Sequence, residues 1–184
     1  MAFERLGVSY VPKEVNVFEP SPEFLAANPL ATVPVLLIEG EPLVDSATIL
    51  EVLHEGFGER VWPSDLEFRR RVRAASTLAE GVMSETVRWF LEGQRASPSG
   101  EWTAEYLENL ERTLGVIAGM APGSSPWIGL NQELTQAGYD LVVALEYLEL
   151  RLKGFDWKAR FPSLERFLSA HRGRPEVAAS RPPV

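Results

Sequence analysis

Asp45 and Ser46 stand between a short apolar run and a segment with helical spacing. A helix amino terminus carries unpaired N–H groups and partial positive charge. An acidic residue followed by a hydroxyl at that point either caps the helix, the plainer outcome for these residue types, or helps seat a charged ligand. Val33-Pro34 introduces the apolar run itself and reads on residue type as a proline ahead of a strand. Trp89, Phe90 and Tyr106 form a second group, and on residue type alone such aromatics fill a core. Other chemistries lack their parts. The sequence has no Cys, which removes a cysteine nucleophile and thiolate metal sites. Its two histidines, His54 and His171, lie far apart with no ligand spacing, so no metal site is expected. No phosphate-binding glycine loop or dinucleotide fingerprint is present, and none of these motifs points to a nucleotide cofactor. Arg69, Arg70, Arg71 and Arg73 spread around more than one helix face, which fits a solvated surface or a dimer contact better than an anion site.

The elements that position these residues fall into two textures along 184 residues. In the front part, Val15 to Phe18 reads as a short strand. Ser21-Pro22 opens a helix that stops at Asn28-Pro29. Val33 to Ile38 is a continuous apolar run, as expected of a strand covered on both faces. Glu39-Gly40-Glu41 is a turn and Pro42 to Val44 the return strand. Asp45 or Ser46 then caps a helix with Ile49, Leu50 and Leu53 on one face. The order is βαββα. Gly, Pro, Trp and charge between Gly56 and Pro63 read as a linker, after which four helices are expected. The first opens with a Ser64/Glu67 capping box and runs through about Leu91; the second spans Trp102 to Met120. The third starts at Thr135 and is apolar almost all round at its beginning, hence central. The fourth runs from Pro162 to His171, and Arg181-Pro182-Pro183-Val184 is a polar tail. The domain bounds are 1–56, a linker over 57–66, and 67–184: an α+β remnant followed by an all-α helical bundle.

Lys plus Arg number 18 against 26 Asp plus Glu, for a net charge of −8. That balance disfavours binding to phosphate backbones, so nucleic acid is not an expected partner. No stretch approaches the roughly 18 apolar residues of a membrane helix, and the amino terminus lacks the basic flank and apolar core of a secretory signal. A soluble, cytoplasmic protein with no membrane partner is the expectation.

Four local patterns, in order, resemble the glutathione transferase family. Asn28-Pro29-Leu30-Ala31-Thr32-Val33-Pro34-Val35-Leu36 is similar to its Asn-Pro-x-Gly-x-Val-Pro-x-Leu. Leu43-Val44-Asp45-Ser46-Ala47-Thr48-Ile49 is similar to its acidic-Ser-x-x-Ile segment. Trp62-Pro63-Ser64-Asp65 followed by arginines resembles the interdomain linker. Leu134-Thr135 through Arg151, then Phe161-Pro162-Ser163-Leu164, resembles the helical core of bacterial members. The resemblance implies a thioredoxin-like domain, a helical domain, a cis peptide before Pro34 and a symmetric homodimer. It implies glutathione as co-substrate without a further cofactor, held by the backbone of Val33, by Pro34, and by Asp45 and Ser46 at its γ-glutamyl end. A small apolar electrophile would lie against Trp89, Phe90 and Tyr106. The implied activity is conjugation of the glutathione thiolate to that electrophile; the alternative is a diverged, non-catalytic glutathione-binding or scaffold module.

Two departures stand beside the resemblance. The family places a strand and helix, roughly 17 residues at average element lengths, before the first strand read here, and only Ala2 to Leu6 precede the Gly7-Val8-Ser9-Tyr10 that resembles that unit's exit. In the family this unit carries the Ser, Tyr or Cys that bonds the glutathione sulfur, so no catalytic residue is assigned, Ser9 and Tyr10 included. Second, Gly138 stands where members usually have the Asp that completes a capping box with Thr135. That substitution is expected to lose a capping interaction of about 1 kcal/mol and to weaken the helix.

Overall fold

A computed structural model describes residues 1–181 and divides into two compact units, Met1–Pro63 and the remainder from Ser64. Positions 182–184 of the expected polar tail lie outside the described residues.

In the first unit, helix α1 (Ala2–Leu6) ends at Gly7, whose φ of 69° supplies the left-handed turn. Helix α2 (Pro22–Ala27) is capped by Ser21 Oγ, which accepts from Phe24 N at 3.2 Å. Strands β1 (Val35–Ile38) and β2 (Glu41–Val44) pair antiparallel, Val35 opposite Val44 and Ile38 opposite Glu41. The two residues between them, Glu39 and Gly40, have φ of 53° and 91°, the mirror-image turn whose twist suits a two-residue hairpin. Helix α3 (Ser46–Phe57) buries Ile49, Leu50 and Leu53, and a single 3-10 turn, Gly58–Arg60, follows it.

Three expectations for this unit change. Val15 to Phe18 makes no strand: Asn16 Oδ1 accepts from Phe18 N at 3.0 Å and Asn16 O from Glu19 N at 3.3 Å, so the segment closes into an Asx-type turn. The sheet therefore has two strands. β1 is not covered on both faces, since Leu37 and Ile38 are 59% and 43% exposed. The expected linker is also structured, holding the end of α3, the 3-10 turn and the buried Val61 and Trp62.

The second unit is helical. Helix α4 (Leu66–Gly93) takes Asp65 as its cap, with Oδ1 accepting from Phe68 N at 2.7 Å. The cap is thus one residue later than the expected Ser64, because Asp65 itself has the extended backbone that a capping residue needs. Helix α5 (Gly100–Gly119) is capped by Ser99 and helix α6 (Gln136–Arg151) by Thr135. Two single-turn helices that the sequence did not announce, α7 (Trp157–Arg160) and α9 (Pro175–Ala178), flank α8 (Pro162–His171). Val72, Ala75, Ala79 and Val82 of α4, Leu110, Leu114 and Ile117 of α5, and Leu141, Leu145 and Leu148 of α6 form fully buried stripes at helical spacing. Helix α6 is the central element, packed on α4 and α8, while α4 also packs on α5.

Gly138 is the principal correction here. A Cβ at this position would lie 2.4 Å from the Trp127 carbonyl oxygen and 2.7 Å from the Leu134 side chain. The glycine lets the loop before α6 lie against the first helical turn, so it is a packing requirement that outweighs its lower helix propensity. Thr135 works around it: Oγ1 accepts from Gly138 N at 3.2 Å and donates to Pro126 O at 2.6 Å.

Ion pairs fix the last described segment to α6. Glu149 takes Lys158 and Arg172, each at 2.5 Å, and Glu146 takes Arg181 at 3.0 Å. Burial works to raise the Glu149 pKa, and the hydrogen bonds from Lys158 and Arg172 outweigh it, leaving it below the ordinary glutamate value. Glu176 behaves in the same way: burial opposes ionisation, while the Tyr139 hydroxyl and Arg174 more than compensate. No helix among the described residues is long and apolar enough to cross a membrane.

Candidate functional site

The hairpin register brings two of the expected site pairs together. Val35 faces Val44, so Pro34 and Asp45, each one residue further on, stand at the same end of the hairpin. The Val33–Pro34 peptide is cis. Val33 is 57% exposed, and its N–H and C=O enter no hydrogen bond among the described residues. Across from it Asp45 caps α3: Oδ1 accepts from Ala47 N at 2.8 Å and Thr48 N at 3.2 Å. Its φ of 75° swings the chain from strand into helix. The second carboxylate oxygen has no partner, and the exposed Ser46 hydroxyl has none either. One side chain thus serves the cap with one oxygen and presents the other to solvent beside a free hydroxyl. A twelve-residue helix stands behind that corner, and its positive end favours a carboxylate there.

Asn28, a helix stop in the sequence and the first residue of its Asn-Pro pattern, shapes the other side of this corner. It is fully buried while the loop it serves is largely exposed. Its Oδ1 accepts from Leu30 N at 3.0 Å, and its Nδ2 donates to Thr32 O at 2.8 Å and Thr32 Oγ1 at 3.2 Å. Ala31, at the position where the resembling family has Gly, has a φ of 53°. That is the left-handed region which costs a residue with a Cβ roughly 1–2 kcal/mol.

The aromatic residues belong to the helical unit. Asn109 Nδ2 of α5 donates to Glu85 Oε2 of α4 at 3.4 Å. In this antiparallel pair that bond sets Tyr106, one turn before Asn109, level with Trp89, one turn beyond Glu85. Tyr106 stacks on Trp102 with ring centroids 6.1 Å apart, and the buried Trp89 Nε1 has no partner. Phe90 faces elsewhere: the Arg151 guanidinium of α6 lies 4.3 Å from its ring centroid and 5.4 Å from that of Tyr147. A cation so placed makes Phe90 part of a cation–π layer between helices. The remaining features have local roles. Tyr10 donates its hydroxyl to Glu4 Oε1 at 3.3 Å and packs on Phe3. The His54 Nδ1 lies 2.9 Å from Gly58 O. His171 packs on Phe167 with its pKa lowered, by burial and then by Arg174. Among the described residues no group of three or more His, Asp or Glu is placed to hold a metal ion.

Comparison with known proteins gives these features a common frame. Residues 1–60 match the family model described as glutathione S-transferase, N-terminal domain. A probable glutathione S-transferase of Nicotiana plumbaginifolia is 30% identical over 114 residues, 59% of this chain and 52% of that protein. A glutathione S-transferase of Glycine max is 28% identical over 119 residues, 62% of this chain and 54% of that protein. The chain thus spans about half the length of these two plant relatives. Among solved structures, a glutathione S-transferase of Methylobacillus flagellatus with glutathione bound superposes with a TM-score of 0.87 at 27% identity, over 99% of this chain and 91% of that one. A glutathione transferase family member from Pseudomonas fluorescens, also with bound glutathione, gives 0.87 at 26% identity, over 100% and 91%.

Proposed function

We propose that this chain, a member of the glutathione transferase family, binds glutathione at the end of its β1–β2 hairpin and conjugates the thiolate to small apolar electrophiles. The observation that carries this is the register that sets the free backbone of Val33 and Pro34 beside Asp45 and Ser46. An extended tripeptide has backbone groups to exchange with the N–H and C=O of Val33, as a strand edge does with an added strand. Its γ-glutamyl carboxylate would meet the Ser46 hydroxyl and the positive end of α3, and its ammonium the free oxygen of Asp45. In the family resemblance Trp89 and Tyr106 would offer apolar surface to an electrophile, while Phe90 is engaged by Arg151.

In the reaction the thiol loses its proton, the sulfur lone pair forms the new C–S bond, and the electrophile releases its leaving group or takes up the electron pair. A thiol of pKa about 8.5 is only a few per cent ionised at neutral pH, so a donor to sulfur raises the rate. No residue of this chain is assigned that role. The second reading is a glutathione-binding scaffold without turnover. Both readings take the chain as a cytoplasmic homodimer, the arrangement its family implies.

Calorimetric titration of glutathione into the 184-residue chain, with an activated aryl halide assay on the same sample, tests both. Binding with turnover supports the transferase reading, and binding without turnover the scaffold. No binding removes the site assignment altogether.

A further inference from the structure

Every polar group of the Asn28 side chain is engaged, and its partners lie on the stretch that leads to Val33. Its Oδ1 takes Leu30 N and its Nδ2 grips Thr32, while the backbone oxygen accepts from Ala31 N at 3.0 Å. The backbone N–H in turn donates to Phe24 O at 2.8 Å, which anchors Asn28 to α2. A fully buried amide satisfied in this way is a fixed point within an otherwise exposed loop.

The decisive contact is the 2.8 Å bond to the Thr32 carbonyl. The carbonyl of Thr32 and the N–H of Val33 belong to one peptide unit, and that peptide is trans. In a planar trans peptide the C=O and N–H point in opposite directions. Holding the Thr32 oxygen inward on the buried Asn28 amide therefore directs the Val33 N–H outward, where it has no partner in the protein. The Leu30 and Ala31 amides donate to the same asparagine, so the peptide is kept from flipping by ties on both sides of the left-handed Ala31.

We propose that Asn28 is a positioning residue for the ligand's backbone contact, fixing the peptide plane whose N–H meets the cysteinyl carbonyl of glutathione. The inference rests on the glutathione-binding reading above. It assigns Asn28 an effect on one ligand bond, whereas a residue that only stabilised the loop would change every ligand contact alike.

The test compares wild type with N28D by calorimetry, using two probes: glutathione and an analogue whose cysteinyl carbonyl is reduced to methylene. Aspartate keeps the acceptor for Leu30 N and loses the donor to Thr32 O. One net hydrogen bond is worth about 0.5–1.5 kcal/mol, so N28D should weaken glutathione by roughly 2- to 12-fold. The analogue should bind wild type more weakly by a similar factor and lose nothing further in N28D. Equal losses for both probes in N28D, or unchanged glutathione affinity, would overturn the proposal while leaving the glutathione reading in place. Failure of wild type to bind glutathione would overturn both. Should N28D not fold, amide exchange of the wild-type chain decides: the Val33 amide should exchange fast without ligand and become protected with glutathione, and an amide already protected without ligand, or one that gains nothing from it, refutes the assignment.

Discussion

The two units are held by different physics, and the contrast shows where sequence alone loses its grip. In the helical unit, apolar stripes on α4, α5 and α6 reach complete burial, and the polar features around them, including the Thr135 cap and the Gly138 contact, serve the packing. In the first unit the hairpin leaves Val33, Leu37 and Ile38 largely exposed. Its shape is set by local polar ties: Asn16 in its turn, Asn28 under its loop, Asp45 at its helix. The unit with the larger apolar core resists change through bulk, and the smaller one through a few bonds whose geometry is the candidate site itself.

The sharpest way to break this contrast is to remove equal bulk from each side. Leu145→Ala empties a fully buried position on α6 and should cost about 2–5 kcal/mol. Leu37→Ala, already 59% exposed, should cost less than about 1 kcal/mol. Similar losses in denaturant melts of the two variants would abolish the distinction. Next in size, Gly138→Ala should destabilise by about 2–3 kcal/mol, since its methyl group meets the Trp127 carbonyl; a gain in stability, as helix propensity alone would give, would show that the loop yields. Asp45→Ala removes the cap of α3 and should cost about 1 kcal/mol, together with the glutathione affinity proposed for that corner.

Acid separates the units more gently. Glu149 and Glu176 have pKa values below the ordinary one in the folded chain, so the stability they contribute is full above the unfolded carboxylate value of about 4.3 and is lost as pH falls through their folded values. Denaturant midpoints for the helical unit, followed by its tryptophans, should fall in that range and be flat above pH 5 as far as these two groups are concerned. The smallest effect has the opposite sign. Ala31→Gly relieves a left-handed alanine and should add about 0.5–1 kcal/mol, a shift that careful thermal melts resolve.

Helical periodicity was legible because it is local: Leu110, Leu114 and Ile117 announce a face whatever they pack against. The caps Ser21, Thr135 and Asp45 were legible for the same reason, each being a residue type followed by a helix. Val15 to Phe18 failed because strand residues make a strand only when an edge is available, and this depends on residues far away in sequence. Asn28 was read as a stop signal because residue type does not reveal burial. Gly138 was misjudged because its value lies in a carbonyl eleven residues earlier. At the candidate site, the resemblance named Val33, Pro34, Asp45 and Ser46, and the hairpin register sets them at one end of the hairpin.

The ion pairs on α6 have a consequence for how the protein is made. A chain leaves the ribosome amino terminus first, at about 5–20 residues per second. Glu146 is therefore synthesised before its cations: Arg172 and Arg181 are added roughly one to seven seconds later. Helix α8, which packs on α6, is itself made within that interval, just ahead of Arg172. A polypeptide that stops before Arg172 keeps Glu149 paired only with Lys158 and leaves Glu146 with neither of its arginines.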